Sequence, residues 1–324
     1  MPRLLVVAPS WIGDALMAQP LLARLHEKVP GLRLDVLAPE WVAPVVRRMP
    51  EVDQAIAAPF RHGALQLRER WRLGRALQAR RYDQAIVLPN TWKSALLPFF
   101  ADIPLRSGYV GESRYGLLNL KYKAPKDSRE PMSVHYARLA EAPGRPVAGP
   151  LPAPRLRFAA HEVEAAKAKF GLRAPYAVLC PGAEYGPAKR WPYFAELSER
   201  IPLQKAILGS EKDLPAAAGL QGVHLAGRTT LDEAIDLVAG AQYVVSNDSG
   251  MMHVAAALGR PQVALFGSSS PLHTPPQSPH ARVLWLQVEC SPCFQRDCPL
   301  GHFRCMREMG VDSVPAEIAK LAGR

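Results

Sequence analysis

The segment at residues 244–267, VVSNDSGMMHVAAALGRPQVALFG, contains residue types that together suit a ligand with a phosphate and a polyol. An apolar run ends at Asn-Asp-Ser-Gly, and a helical pattern begins there. Ser249 and Gly250 would place free backbone N–H groups at a helix N-terminus, which binds phosphate readily, and glycine permits close approach. Asp248 would repel a phosphate, so its carboxylate is better suited to sugar hydroxyls. The alternative is an ordinary capped helix with no ligand.

Three further loops carry charged groups that could act on or bind such a ligand. Asp14, after the first apolar run, is either a helix N-cap or a general base that accepts a proton from an attacking hydroxyl. Lys189 would neutralise a phosphate leaving group, or is a solvated surface lysine. Glu211 follows another apolar run, where acidic residues of dinucleotide folds hold ribose hydroxyls. Pro192 suits the first turn of the helix that follows Lys189.

Short apolar strands that alternate with helices must position these loops. The pattern predicts strands at residues 3–8, 33–38, 54–57, 83–88, 107–110, 176–180, 205–208, 223–225, 243–246 and 262–266. It also predicts a helix over residues 15–28 and a capping box from Thr230 to Glu233. Alternation of this kind indicates parallel sheets covered on both faces, an α/β class.

A proline-rich stretch, APGRPVAGPLPAP at residues 142–154, divides the chain into domains at residues 1–154 and 155–324. Two doubly wound domains joined in this way would face each other across a cleft. Ligands of such sheets bind beyond the carboxyl ends of the strands, where the loops described above lie.

Composition narrows the function classes. No GxGxxG or GxxxxGK[ST] follows a strand, which disfavours dehydrogenases and P-loop enzymes. No transmembrane span and no secretory signal is expected, so a cytoplasmic location is predicted. The net charge of +11 suggests anionic partners. Nucleic acid is a poorer candidate than phosphates or lipid headgroups, because no recognition motif accompanies the charge.

Basic residues cluster in two groups before the linker. The first lies on one face of a predicted helix beside Trp71; the second follows the last strand of the first domain. The members are Arg68, Arg72 and Arg75, and then Arg114, Lys121, Lys123, Lys126 and Arg129. They are either solvated surface charges or a docking surface for an anionic acceptor and membrane leaflet.

Four cysteines lie close together near the C-terminus. Cys290, Cys293, Cys298 and Cys305 are spaced C-x2-C-x4-C-x6-C, with His302 nearby. Four soft ligands at such spacing can hold zinc, but the paired knuckles of zinc ribbons are missing. Reduced thiols that stabilise a loop are the favoured interpretation, and disulfides are disfavoured in the cytoplasm.

Five segments, in order along nearly the whole chain, resemble glycosyltransferase family 9, the ADP-heptose:lipopolysaccharide heptosyltransferases. They are PSWIGDALMAQPLL, PGAEYGPAKRWP, LGSEKD, VSNDSGMMHVAAALGRPQVALFG and CSPCFQRDCPLGHFRCM. The resemblance implies a GT-B fold of two facing Rossmann-like domains, in which the first binds mainly the acceptor and the second the nucleotide-sugar. It implies inverting transfer of L-glycero-D-manno-heptose from ADP-heptose, with no cofactor and no catalytic metal.

The resemblance also implies a role for individual residues. It makes Asp14 the catalytic base and brings Lys189 to the phosphate and sugar of the donor. The remaining donor contacts are Glu211 at the ribose, Thr229 at the adenine, Asp248 at the heptose, Ser249 and Gly250 at the diphosphate, and His253 nearby. Without the resemblance, His253 on an apolar helix is better interpreted as a packed core histidine.

The acceptor depends on the branch of the family. The long PGAEYGPAKRWP loop and the cysteine segment favour the branch that extends the first inner-core heptose, with heptosyl-Kdo2-lipid A as acceptor at the cytoplasmic face of the inner membrane. The other branch acts on Kdo2-lipid A itself. A sugar-nucleotide epimerase on a similar two-domain fold is the alternative of a different enzyme class, and a non-enzymatic basic binding protein is a weaker one.

Overall fold

The computed structural model describes residues 1–61, 63–125 and 130–322. The chain divides into two compact units, Met1–Pro152 and Ala153–Arg324. Each unit is one six-stranded parallel sheet with helices packed around it. No helix formed by the described residues is both long and apolar enough to cross a membrane.

The first unit has the strand order of a Rossmann fold, β3-β2-β1-β4-β5-β6. Its strands are β1 Arg3–Val7, β2 Arg33–Pro39, β3 Gln54–Ala58, β4 Gln84–Val87, β5 Leu105–Tyr109 and β6 Leu120–Tyr122. Its helices are α1 Ile12–Met17, α2 Gln19–Lys28, α3 Ala43–Arg47, α4 Leu67–Leu77, α5 Trp92–Phe100 and α6 Met132–Ala137. Leu5, Val87 and Leu97 belong to its buried core.

The second unit repeats this order, β12-β11-β10-β7-β8-β9. Its strands are β7 Tyr176–Cys180, β8 Gln204–Ile207, β9 Val223–His224, β10 Tyr243–Asn247, β11 Gln262–Phe266 and β12 Ala281–Trp285. Its helices are α7 Ala160–Lys169, α8 Phe194–Arg200, α9 Leu214–Ala217, α10 Leu231–Ala239, α11 Gly250–Ala257, α12 Arg304–Arg307 and α13 Ser313–Ala322. Leu179, Val245 and Leu265 belong to its core.

Both sheets reverse their winding direction in the middle, and this reversal determines where ligands can bind. The reversal lies between β1 and β4 in the first unit and between β7 and β10 in the second. A crevice opens at such a point, outside the carboxyl ends of the two central strands. Asp14 follows β1, Lys189 follows β7 and Asp248 follows β10, so all three lie just beyond the ends of the central strands at these reversal points.

Local details differ from the sequence predictions. The helix predicted over residues 15–28 is two helices, α1 and α2, and begins at Ile12; Pro20 lies in the first turn of α2. The prediction that Pro192 occupies the first turn of a helix is wrong, because Tyr193 is the N-cap of α8. The edge strands β6 and β12 were not predicted. They are short or half-exposed, and so lack the continuous apolar run of a central strand.

Candidate functional site

A buried asparagine ties together the two loops at the reversal point of the second unit. β7 and β10 are neighbours, with Ser246 opposite Cys180. Asn247, the last residue of β10, donates from Nδ2 to the carbonyl oxygen of Pro181 at 2.7 Å. Its Oδ1 accepts the backbone N–H of Trp191 at 3.1 Å. The loop after β7, which carries Lys189, is therefore held at both ends by the end of β10.

Lys189 and Asp248 form an ion pair at this point. The Lys189 Nζ lies 2.5 Å from the Asp248 Oδ2, and the side chains are 16% and 5% exposed. The same carboxylate oxygen accepts the hydroxyl of Ser269 at 2.5 Å. Lys189 ends a 3-10 turn, Pro187–Lys189, and its Nζ lies 5.0 Å from the centroid of the Tyr185 ring. A cation and a carboxylate predicted for one ligand thus lie in direct contact.

The N-terminus of α11 follows Asp248 directly. Ser249 is its N-cap in an extended conformation, and the serine side chain makes no capping hydrogen bond. The Ser249 side chain thus does not cap the helix that it begins. Gly250 is the first helical residue, and both residues are half-buried. The first-turn N–H groups are thus not satisfied by the Ser249 hydroxyl, as an anion site requires.

His253 lies one turn into α11 and is buried. Burial lowers the pKa of its imidazole, the negative charge of Asp248 opposes this shift, and the positive charge of Lys189 reinforces it; the resulting pKa is about 4. The ring is therefore neutral near pH 7. The structure shows a packed histidine beside the Lys189–Asp248 pair, and its contact with a donor stays a prediction.

This buried histidine predicts a loss of stability in mild acid. An unfolded histidine binds a proton near its ordinary pKa of 6.5, whereas His253 in the fold binds one only near 4. The unfolded state therefore gains protons first as the pH falls. As the pH falls from about 7.5 to about 5, His253 should account for about 2 kcal/mol of the decrease in the free energy of unfolding.

Urea unfolding measures this decrease. It should be smaller for His253→Gln than for the unsubstituted chain, and the control His161→Gln should show the same decrease as the unsubstituted chain. Equal losses for all three proteins would contradict the pKa shift.

The loops after β8 and β9 bring Glu211 and Thr229 near each other. Glu211 is exposed and begins a 3-10 turn whose capping box joins Ser210 to Asp213, not to Glu211. A Cβ atom on Gly227, two residues before Thr229, would lie 2.9 Å from the Glu211 Cγ. The predicted ribose and adenine contacts are thus on adjoining loops. The predicted capping box of Thr230 and Glu233 is confirmed at the start of α10.

Asp14 lies in the first turn of α1, two residues after the helix begins. The N-cap is Trp11, so the alternative that Asp14 serves as N-cap is wrong. The hydroxyl of Tyr136 on α6 donates to the Asp14 Oδ1 at 3.5 Å. Burial, and then the Asp14 carboxylate, raise the pKa of Tyr136 well above its usual range, so the phenol stays protonated and can keep donating. Asp14 itself is half-buried, which leaves part of the carboxyl group accessible.

The first basic group lies on α4. Arg68, Arg72 and Arg75 are exposed, and the neighbouring Trp71 is 51% exposed. Arg70 on the same helix is buried instead, with its guanidinium 4.1 Å from the centroid of the Phe60 ring. α4 therefore presents three arginines and a tryptophan outward.

The second basic group is only partly a surface. Lys121 and Lys123 are exposed, whereas Lys126 and Arg129 lie outside the described residues. Arg114 was predicted to contact the acceptor, but it is 3% exposed. Its guanidinium donates to the carbonyl oxygens of Pro89 and Tyr109. The inclusion of Arg114 in an exposed docking surface is therefore wrong; it holds the loops after β4 and β5 together.

All five cysteines are free thiols. Cys290, Cys293, Cys298 and Cys305 line one small cavity together with His302. The Cys298 sulfur accepts the backbone N–H of Phe303 at 3.4 Å. Within residues 1–61, 63–125 and 130–322, no three His, Cys, Asp or Glu side chains are placed to hold a metal ion. The four thiols thus border a cavity without forming a coordination shell.

Several residues that shape these sites were not predicted from the sequence. Asn247 and Ser269 hold the Lys189 loop and the Asp248 carboxylate, and Tyr136 contacts Asp14. The position of Asn247 at the end of the apolar run, immediately before Asp248, was a usable signal. Ser269 and Tyr136 gave none, because each is distant in sequence from its partner.

Comparison with known proteins shows the family to which the chain belongs. The family model for glycosyltransferase family 9 (heptosyltransferase) matches residues 70–304. The chain is 42% identical to lipopolysaccharide heptosyltransferase 2 of Salmonella typhimurium, over 98% of each chain. It is 28% identical to lipopolysaccharide heptosyltransferase 1 of Pseudomonas aeruginosa, over 91% of this chain and 87% of that one.

A solved structure supports the same assignment at the level of the fold. The structure of Escherichia coli ADP-heptose lps heptosyltransferase II matches with a TM-score of 0.87 and 40% identity over 98% of each chain. The predicted GT-B fold class is confirmed. The chain therefore belongs to glycosyltransferase family 9 and is a glycosyltransferase.

Proposed function

We propose that this enzyme transfers L-glycero-D-manno-heptose from ADP-heptose to the first heptose of the lipopolysaccharide inner core, with inversion at the anomeric carbon. The observation that carries the proposal is the meeting of Lys189, Asp248 and the N-terminus of α11 at the reversal point of the second sheet. A nucleotide-sugar has a diphosphate for the cation and the helix N-terminus, and hydroxyls for the carboxylate. No single small anion would use all three groups.

In this reaction the second unit stabilises the leaving group. Negative charge grows on the ADP diphosphate as its bond to the sugar breaks. Lys189, held in place by Asp248, and the first-turn N–H groups of α11 would face the diphosphate, so little reorganisation is needed as that charge develops. Asp248 accepts hydroxyls of the heptose, and Glu211 and Thr229 hold the adenosine. His253, neutral and buried near this pair, adds no charge to the site.

The first unit supplies the base. Asp14 takes the proton from the attacking acceptor hydroxyl, and the new bond forms on the face opposite the departing ADP. The Tyr136 hydroxyl keeps the Asp14 carboxylate oriented. Protein groups supply the charge stabilisation, and we propose that no cofactor or catalytic metal is required.

The sequence identity to the two kinds of relative supports the choice of acceptor. The heptosyltransferase 2 relative is more similar than the heptosyltransferase 1 relative, 42% against 28%. We therefore favour the heptosylated acceptor over Kdo2-lipid A.

The test is ADP release from ADP-heptose with three acceptor conditions: none, Kdo2-lipid A and heptosyl-Kdo2-lipid A. Release only with the heptosylated acceptor, unchanged by EDTA, is the expected result. Release with Kdo2-lipid A would overturn the acceptor assignment. Consumption of ADP-heptose without any acceptor, with an isomer as product, would favour the epimerase alternative. Loss of activity in EDTA, restored by a divalent ion, would overturn the metal-free mechanism.

The exposed face of α4 predicts peripheral binding at the cytoplasmic side of the inner membrane. Each arginine near an anionic surface contributes about 1 kcal/mol, so replacing Arg68, Arg72 and Arg75 together by glutamine should weaken partitioning roughly 100-fold. The measurement is cosedimentation with phosphatidylethanolamine–phosphatidylglycerol vesicles. The control replaces three exposed arginines of the second unit by glutamine, so that both variants have the same net charge. These are Arg173, Arg304 and Arg307. Equal weakening in both variants would show that net charge, not the α4 face, binds the surface.

A further inference from the structure

The loop that carries Lys189 is held by a neighbour that is distant in sequence, the segment around Arg296. The Arg296 Nε donates to the carbonyl oxygen of Tyr185 at 2.7 Å. In return, the Arg296 carbonyl oxygen accepts the backbone N–H of Ala188 at 3.1 Å. The hydroxyl of Tyr185 donates to the carbonyl oxygen of Phe294 at 2.6 Å. These three hydrogen bonds fix Arg296 against the loop that ends in Lys189.

The approach of the two segments is close enough to exclude a side chain at Gly186. A Cβ atom there would lie 2.3 Å from the Arg296 carbonyl oxygen, and Gly186 has a φ of +152°. Only glycine fits such a contact and such a backbone conformation without strain. The position of Arg296 relative to Lys189 is therefore built into the backbone of the loop.

Arg296 and Lys189 share one aromatic ring. The Lys189 Nζ lies 5.0 Å and the Arg296 Cζ 5.6 Å from the centroid of the Tyr185 ring, which is itself 41% exposed. Both cations are within the range in which a ring face attracts them. Among the described residues, the terminal nitrogens of Arg296 have no hydrogen-bond partner, and the side chain is exposed. An anion that contacted both cations would relieve their mutual repulsion.

The charge balance at the donor site leaves room for a second cation. Lys189 is paired with the Asp248 carboxylate, so these two side chains together contribute no net charge. A further cation would add to the stabilisation that Lys189 and the helix N-terminus give a diphosphate as it gains negative charge. The planar guanidinium of arginine matches phosphate oxygens with two parallel N–H donors.

We propose that Arg296 is a donor-binding residue whose terminal guanidinium nitrogens bind the diphosphate of the nucleotide-sugar beside Lys189. This proposal rests on the proposed function, because it assigns a further residue to the same donor site. The bond from Nε to the Tyr185 carbonyl orients the guanidinium, and the Tyr185 ring attracts both cations.

The experiment compares ADP with adenosine as ligands of the full chain. Arg296→Gln should weaken ADP binding about 10-fold to 100-fold by calorimetry, since charge-assisted hydrogen bonds are lost. Adenosine, which has no phosphate, should bind equally to both proteins in ligand-observed NMR. Arg296→Lys should recover part of the ADP affinity, because the charge returns without the planar fork. The matched control is Arg304→Gln, an exposed arginine of the same segment that pairs with Glu308.

The contrary results are distinct from one another. Unchanged ADP affinity in Arg296→Gln would overturn the proposal and leave the proposed function intact. Equal weakening for ADP and adenosine would overturn it in favour of a purely structural role in holding the loop. Failure of the unsubstituted chain to bind ADP at all would overturn both this proposal and the proposed function.

Discussion

Asp14→Asn is expected to abolish most of the transfer activity while leaving the donor site intact. Loss of a general base lowers a rate by about 10²-fold to 10⁴-fold, because the acceptor hydroxyl must then attack with its proton still bound. The amide keeps the size of the carboxyl group and can still accept the Tyr136 hydroxyl, so the local structure should persist. The measurements are the rate of ADP release with the heptosylated acceptor and the affinity for ADP.

Stability measurements separate this result from a folding defect. Trp11, not Asp14, is the N-cap of α1, so Asp14 supports the start of this helix as an acid in its first turn. Such a charge contributes about 0.3–1 kcal/mol. The free energy of unfolding in urea should therefore be lower in Asp14→Asn than in the unsubstituted chain by no more than that amount. The control, Glu27→Gln, removes an exposed acid of α2 and should retain full activity. A normal transfer rate in Asp14→Asn would remove this carboxylate from the chemistry.

The central strands and the placement of the site were predictable because both depend on local patterns. Buried parallel strands such as β7, β10 and β11 are mainly apolar, and the residue after each strand is a proline, an aspartate or a glycine. Once two doubly wound sheets are inferred, the loops after the central strands are where ligands bind. Lys189, Asp248 and Asp14 could be selected on that basis before any coordinates.

Contacts between distant segments could not be predicted from such patterns. Lys189 and Asp248 are 59 residues apart, and the pattern of each loop says nothing about the orientation of the other. Arginine is usually a surface residue. The Arg114 side chain nevertheless donates to carbonyl oxygens at the ends of two strands. The carbonyl oxygen of Arg296 likewise accepts a hydrogen bond from a distant segment, the Lys189 loop. Satisfying buried polar groups is a property of the whole fold, so it leaves no local signal.

The ion pair of Lys189 and Asp248 predicts opposite outcomes for one substitution and for two. Lys189→Met leaves a carboxylate that is 5% exposed without its cation, with the Ser269 hydroxyl still donating to it. Removing one partner of a buried pair typically costs about 3–5 kcal/mol of the free energy of unfolding. Lys189 is itself 16% exposed, so the lower end of that range is expected. Donor use should also fall, because the leaving diphosphate loses a cation that is worth about 10²-fold to 10³-fold in rate.

Adding Asp248→Asn to Lys189→Met should restore most of the stability and none of the activity. The buried charge is gone in the double variant, so a double-mutant cycle in urea should give a large coupling energy between the two positions. ADP release should stay as low as in the single variant, since the double variant lacks both the cation and the sugar-binding carboxylate.

The control is the exposed pair of Lys212 and Glu184, where Lys212→Met should change stability by less than about 1 kcal/mol. If the double variant regained transfer, the pair would serve the fold alone. If Lys189→Met lost activity without losing stability, the lysine would serve the donor alone. Recovery of stability without recovery of transfer is the outcome that assigns the pair both roles.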